Sequence, residues 1–266
     1  MPVTENPAFI APANVDVKIW RYMDFTKFVS MLEEAGLFFA RLDRLGDPFE
    51  GSSTRAEVMS REKWWVGLGN PQQVGRVQEM IPQVLKWQRQ WTYVSCWHMN
   101  ELESPAMWKL YARTAEAICV QSTYKRLLDC LNGSTSCKNN QVFIGKVNYI
   151  NFKNDPQPAM DNILHVVTHK GESFEHEREL RAVIQCVPRS ENGPLRLPAD
   201  PLREDFPNDL PKSGVQVTLD LEQLIEKIFV APSSPSWFHD LVGKVVLRHK
   251  LDKSVEKSAL DASPLY

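Results

Sequence analysis

The segment Phe174-Glu175-His176-Glu177-Arg178-Glu179-Leu180-Arg181-Ala182-Val183-Ile184-Gln185 constrains the fold of this chain more than any other. A run of acids and bases passes directly into an apolar alternating stretch, which predicts a strand whose first half is charged. With period 2, Glu175, Glu177, Glu179 and Arg181 project to one side, and His176, Arg178, Leu180, Ala182 and Ile184 to the other. Three carboxylates in a row on one face repel unless a bound group or a cation compensates them. The arrangement reads in two ways, as a candidate site or as a solvated strand end balanced by Arg178 and Arg181.

With 266 residues, 43% of them hydrophobic, the chain can bury a full core. The expected organisation is an irregular lead-in over 1–16, a single α+β domain over 17–252 and a polar tail over 253–266. Lys plus Arg (31) and Asp plus Glu (33) nearly cancel to a net charge of -2, which gives no electrostatic case for a nucleic-acid or membrane-surface partner. A local basic face on a neutral protein still leaves nucleic acid open. The five cysteines, Cys96, Cys119, Cys130, Cys137 and Cys186, are scattered and never in C-x-x-C spacing. That argues against a disulfide framework or structural zinc and for a reducing cytoplasm. No run approaches the roughly 18 apolar residues of a membrane span.

In chain order, Val17–Tyr22 predicts a strand that delivers Arg21 and Tyr22 at its end, and Asp24–Gly36 a helix capped by Asp24, with Gly36 at the left-handed C-terminal position. A second strand, Leu37–Leu42, precedes a tight loop, Leu45–Ser52, in which Asp47 and Glu50 sit among glycines and a proline. Residues 55–90 read as helices. Trp91–Trp97 is a strand whose polar residues, Ser95, Cys96 and the following His98, are placed to line a cleft. A helix begins at Pro105 behind a Ser104 cap, with Trp108 and Tyr111 on one face. The remaining expectations are strands at 117–121, 142–151, 215–219 and 227–232, helices at 124–131, 160–169 and 236–248, and a helical turn at 221–225. Pro188–Pro211 reads as a long surface loop. Short strands and helices without regular alternation predict α+β, with mixed, mainly antiparallel small sheets and helices packed around them. No G-x-G-x-x-G, P-loop, G-x-S-x-G or H-E-x-x-H occurs, which lowers the case for the corresponding enzymes.

Five ordered segments resemble the bacterial domain of unknown function 2971 family. They are Trp20-Arg21-Tyr22, Leu45–Glu50, Ser95-Cys96-Trp97 with Met107–Tyr111, Glu177–Arg181 and Ile228–Pro232. Gly46 departs from the Asn expected there. A more distant resemblance is to ADP-ribosyltransferase-like folds, with their Arg, Ser and Glu triad. It implies that Arg21 holds the phosphate or ribose of NAD, that Ser95 orients the nicotinamide ribose, and that Glu179 stabilises an oxocarbenium-like transition state. Glu177 would position or deprotonate the acceptor, Tyr111 or Trp108 would stack on nicotinamide, and Tyr22 and Arg181 would complete the nucleotide site. The implied activity is NAD-dependent ADP-ribosyl transfer or NAD glycohydrolysis, with a small-molecule nucleotide or a macromolecular acceptor as partner.

Three other chemistries use the same residues. Asp47, Glu50, Glu177 and Glu179 are hard oxygen ligands suited to metal-assisted phosphodiester cleavage, with Arg181 on phosphate. The aromatic and charged cleft also suits a non-enzymatic binding module. Cys96 and His98, two apart on a strand, form a candidate thiol–imidazole pair that needs a third, orienting group.

Overall fold

A computed structural model describes residues 3–66, 71–112, 114–136, 140–156, 162–187 and 210–262. In chain order its elements begin with β1 (Lys18–Asp24), α1 (Phe25–Glu33), β2 (Gly36–Arg41), α2 (Arg55–Val66), α3 (Pro71–Trp91) and β3 (Thr92–Met99). Next come α4 (Pro105–Tyr111), β4 (Ala117–Thr123), α5 (Tyr124–Gly133), β5 (Gln141–Lys146), β6 (Asn148–Ile150) and β7 (His169–Gly171). The chain continues through β8 (Glu179–Gln185), β9 (Gly214–Thr218), α6 (Leu221–Leu224), β10 (Lys227–Val230), α7 (Ser236–Arg248) and β11 (Val255–Lys257). No helix among the described residues is long and apolar enough to cross a membrane.

The caps behave as their side chains require. Asp24 accepts from the Lys27 N–H at 2.8 Å to start α1, and Ser104 accepts from Met107 at 3.3 Å to start α4 behind Pro105. The end of α1 differs from expectation. Ala35 takes the left-handed position (φ 44), and Gly36 instead opens β2, where an added Cβ would lie 2.1 Å from the Val217 carbonyl oxygen. Close strand approach, not backbone freedom, is what calls for glycine there.

The fold is α+β with a mixed, mostly antiparallel sheet, as composition and pattern predict. In place of several small sheets, nine described strands join one large sheet, and β6 and β7 form a separate parallel pair. The large sheet runs β11-β10-β4-β1-β3-β2-β9, and β8 pairs with the opposite edge of β3 and carries β5 beyond it. It forks at β3. Along a single edge, β3 meets β1 through His98 and Met99 and meets β2 through Tyr93 and Val94, so that Ser95–Trp97 look into the gap between two diverging strands.

One face of the sheet buries Ile19, Met23, Tyr93, Trp97, Val120, Leu180, Ala182 and Ile184 against Phe28 and Met31 of α1, Leu127 of α5, and Phe238 and Val242 of α7. The other face carries Trp20, Tyr22 and Cys119 against Met107 and Trp108 of α4, and Val94 and Val183 against Leu42 and Val167. The two faces thus have separate cores, and a residue's parity along its strand decides which it joins.

Several expected boundaries move. The charged half of the opening segment is not strand: residues Glu172–Glu177 form 3₁₀ turns, and Arg178 is left-handed (φ 41) before β8 begins at Glu179. Glu175 therefore lies exposed, away from Glu177 and Glu179, which are buried. The expected strand 142–151 divides at Val147 into β5 and β6, and the described part of the 160–169 helix is a 3₁₀ segment, Ile163–Val167, leading into β7. The lead-in is irregular but not detached. Thr4 N–H donates to Val142 O at 2.8 Å, Lys146 N–H to Ile10 O at 2.9 Å, and Phe9 stacks on Phe143 at 4.9 Å, which covers the outer edge of β5. The tail contributes β11, because Val255 packs on the core while its backbone pairs with the free edge of β10. The Pro188–Pro211 loop and Cys137 fall almost wholly outside the described residues.

Gly36→Ala should lower stability by about 1–3 kcal/mol, the usual cost of forcing atoms into a filled space, read from urea or thermal unfolding. Gly46→Ala, where an added Cβ meets nothing within 4 Å, should be close to neutral in the same measurement.

Candidate functional site

The carboxylates of the opening segment converge on two cations that come from different parts of the chain. Arg181, with 0% exposure, projects from β8 beside Glu179, and its Nε donates to Glu179 Oε1 at 2.7 Å while Nη1 donates to Val167 O at 2.7 Å. Glu50, with 2% exposure, reaches in from the 45–52 loop, its Oε2 3.0 Å from Arg181 Nη2, an ion-pair distance without hydrogen-bond alignment. Lys170 of β7 is the centre of the remainder. Its ammonium lies 2.6 Å from Glu177 Oε2, 3.2 Å from Glu179 Oε2 and 3.6 Å from Glu50 Oε1. Asp47 uses Oδ1 to accept from the Phe49 N–H at 2.9 Å, the turn role that Asp before Pro usually plays, and stands beside Glu50 without joining the cations.

The titration of each group follows from this arrangement. Burial pushes Glu179 up, but the charge and hydrogen bond of Arg181 and the charge of Lys170 outweigh it and hold the carboxyl at about 2, below its ordinary 4.5. For Glu50 burial wins and its pKa is raised despite Arg181. Burial acts to lower Arg181 and Lys170, yet Glu179 leads the carboxylates that raise both. Three carboxylates thus meet two cations in a dry space, and the protein holds a local excess of acceptors there.

Beside this network is a small cavity of about 50 Å³, lined by Trp20, Tyr22, Cys96, His98, Met107, Tyr111, Glu177 and Glu179. His98 Nδ1 lies 2.6 Å from the Glu177 carbonyl oxygen, which can only accept, so the ring proton sits on Nδ1 and Nε2 is a bare lone pair. Among the described residues that Nε2 is buried with no hydrogen-bond partner, and burial lowers the His98 pKa, which favours the neutral ring. Tyr22 is held by an edge-on contact with Trp108 (5.0 Å, 82°) and by the Ser104 N–H donating to its hydroxyl at 2.9 Å. Tyr111 is 44% exposed, and its phenol is raised by burial and by Glu177, which places it at the mouth.

The expected triad does not converge. Ser95 pairs across β8 with Ala182, and Arg21 pairs across β4 with Val120; both partners belong to the helix-covered face. Glu179 and Arg181 pair with His98 and Cys96 and project from the opposite face. Arg21 instead fills the fork of the sheet, donating to the Ser95 hydroxyl and, at 3.0 Å, to Phe38 O, with its guanidinium 5.7 Å from the Trp97 ring. Trp108 is also displaced from its expected role: buried, it donates from Nε1 to Glu103 Oε2 at 2.9 Å and supports Tyr22 without lining the cavity. Of the expected site residues, Tyr22, Tyr111, Glu177 and Glu179 share the cavity, and Arg181 anchors it from behind.

The metal reading meets a physical obstacle. The point where Glu50, Glu177 and Glu179 come together is filled by the Lys170 ammonium, and among the described residues no group of three or more His, Cys, Asp or Glu is arranged to hold a metal ion. Burial, followed by the charge of Glu179, pushes the Cys96 thiol well up, which works against the thiolate that a nucleophile needs. Lys170 and the proton arrangement of His98 were beyond reach of the sequence. Lys170 lies in a three-residue strand with no motif, and a lone pair is set by what the other ring nitrogen meets.

No family model, curated protein or solved structure matches the chain.

Lys170→Met leaves three buried carboxylates with one cation and should cost about 3–5 kcal/mol in urea unfolding. The acid limb of stability also carries a sign. Between about 2 and 4.5 the unfolded chain binds the Glu179 proton and the folded one does not, so this contribution is present above 4.5 and lost as pH falls toward 2. Glu50, raised, opposes it above 4.5, while His169, lowered by burial to about 4 from 6.5, adds stability as pH rises between those values. Glu179→Gln should flatten the dependence between pH 2 and 4.5, measured by denaturation at stepped pH.

Proposed function

We propose that this chain binds NAD through its nicotinamide end on the Glu177–Glu179 face and breaks the bond between nicotinamide and ribose. The observation that carries the reading is the composition of this small cavity: aromatic walls from Trp20, Tyr22 and Tyr111, the bare His98 Nε2 and the Glu177 carboxylate. A volume of about 50 Å³ has room for roughly four waters, so a single planar ring fills it and a ribose and phosphates remain outside. The nicotinamide of NAD is a cationic ring bearing an amide. Aromatic faces and an excess of buried carboxylate favour the cation, and His98 Nε2 accepts from the amide N–H.

The transition-state role that the resemblance to ADP-ribosyltransferase-like folds implies for Glu179 passes here to Glu177. Both oxygens of Glu179 are taken, Oε1 by Arg181 at 2.7 Å and Oε2 by Lys170 at 3.2 Å, so it positions its neighbours and does not touch the reacting ribose. Glu177 commits Oε2 to Lys170 at 2.6 Å and lines the cavity, which suits it to stabilise positive charge developing on ribose. In the reaction the carbon–nitrogen bond breaks with its electron pair leaving on nicotinamide, an acceptor oxygen adds to the ribose carbon, and its proton passes to Glu177. Arg21 and Ser95 have no part in this; they hold the fork of the sheet.

The complete engagement of Glu179 also favours a second reading, a module that binds the ring without turnover. Both are tested by incubating the protein with NAD and following melting temperature and released nicotinamide together. The enzymatic reading expects release, reduced about 100-fold or more in Glu177→Gln and retained in Ser95→Ala. A raised melting temperature with no nicotinamide released supports the binding module. Neither a shift nor release sinks both, and loss of release in Ser95→Ala without loss of folding would restore the triad.

A further inference from the structure

A second cavity, of about 590 Å³, opens at the ends of β3, β5, β6 and β8, where Glu179 is its common boundary with the first. Its volume is in the range that holds whole small molecules. Its chemistry is the opposite of the first cavity's. Lys146 and Arg178 line it, and among the described residues neither has a carboxylate within ion-pair distance; Glu175 is the one exposed acid among the lining residues, while Glu179 turns its carboxylate to Arg181 and Lys170. Among the described residues Arg178 makes one side-chain hydrogen bond, from Nη1 to Asn100 Oδ1 at 3.3 Å. The Tyr149 hydroxyl accepts from the Glu179 N–H at 2.7 Å, and among the described residues no oxygen accepts its own proton.

Arg178 is where the chain turns between the two cavities. Held left-handed at φ 41, it separates two inward carboxylates, Glu177 and Glu179, while its own side chain is exposed on the second cavity's rim. A backbone conformation that a non-glycine residue adopts at a cost is retained here by the hydrogen bonds on either side, Arg178 N–H to Glu175 O at 3.1 Å and Met99 N–H to Arg178 O at 2.9 Å. Around the cations, Met99, Val147 and the Tyr149 ring supply apolar surface.

We propose that this cavity is a second ligand site that takes a phosphomonoester of nucleotide size. Lys146, Arg178 and the Tyr149 hydroxyl hold the phosphate, and the ring of Tyr149 with Met99 and Val147 receives the organic part. The site does not depend on the nicotinamide reading, since it uses neither Glu177 nor His98.

The test is calorimetric titration of the full chain with AMP, adenosine and inorganic phosphate. AMP should bind, adenosine should not, and inorganic phosphate should bind more weakly than AMP. Arg178→Gly is the informative variant, because glycine keeps the left-handed turn without strain while removing the side chain that carries the guanidinium. It should weaken AMP about tenfold or more with no loss of melting temperature, and Lys146→Gln should do the same. Equal binding of AMP and adenosine, or AMP affinity unchanged in both variants, would overturn the proposal. Equal affinity for inorganic phosphate and AMP would overturn its nucleotide part. Nicotinamide release from NAD by Lys146→Gln, read alongside, keeps this outcome separate from that of the first cavity.

Discussion

Arg181 is the interaction on which the rest of the site depends. A guanidinium with 0% exposure is several kcal/mol unfavourable unless its charge and donors are met, so its surroundings are dictated by that need. Its partners come from three stretches of chain: Glu179 on the same strand, Glu50 from the loop after β2, and the Val167 carbonyl just before β7. Lys170 then joins Glu177 to the same carboxylates. Loop, short strand and central sheet are thereby held together by charge. The cavity beside Glu177 inherits its acceptor-rich character from the carboxylate that the cations do not cancel.

A second constraint is the fork at β3. Two strands leave one edge of a third, and Arg21 fills the gap between them, donating to the Ser95 hydroxyl and to the Phe38 carbonyl from one planar group. This gives the Arg–Ser pair a role in architecture. It also explains why the pair looks like part of a site: both residues lie at strand positions that face a gap, only one residue removed from the face that carries Tyr22, Cys96 and His98.

Much of the fold was legible because it depends on local pattern. The caps at Asp24 and Ser104, the strands around Trp20, Val94 and Ile228, and α7 follow from side chains within a few residues of one another. The charged segment was legible only in its second half. From Glu179 the alternation holds, but Glu172–Glu177 has the same alternating look and folds as 3₁₀ turns, since no neighbouring strand accepts it. Among the candidate-site residues, Glu177, Glu179 and Arg181 stand out in the charged segment itself, and Tyr22 and Tyr111 enter through the resemblance. Lys170 and the bare nitrogen of His98 could not be named, because their importance lies in partners far away in sequence.

By itself, the sequence determined the α+β class, most elements and the acids and aromatics from which a site could be made, because periodicity and capping are short-range. Only the tertiary structure decided which of them meet. Strand pairing set Ser95 against Ala182 and Cys96 against Arg181, and with a side-chain period of two that register sends Arg21 and Ser95 to one face and Glu179 to the other. Long-range burial then brought Glu50 to Arg181 and Lys170 to Glu177 and Glu179, since a buried charge needs its counter-charges wherever along the chain they occur.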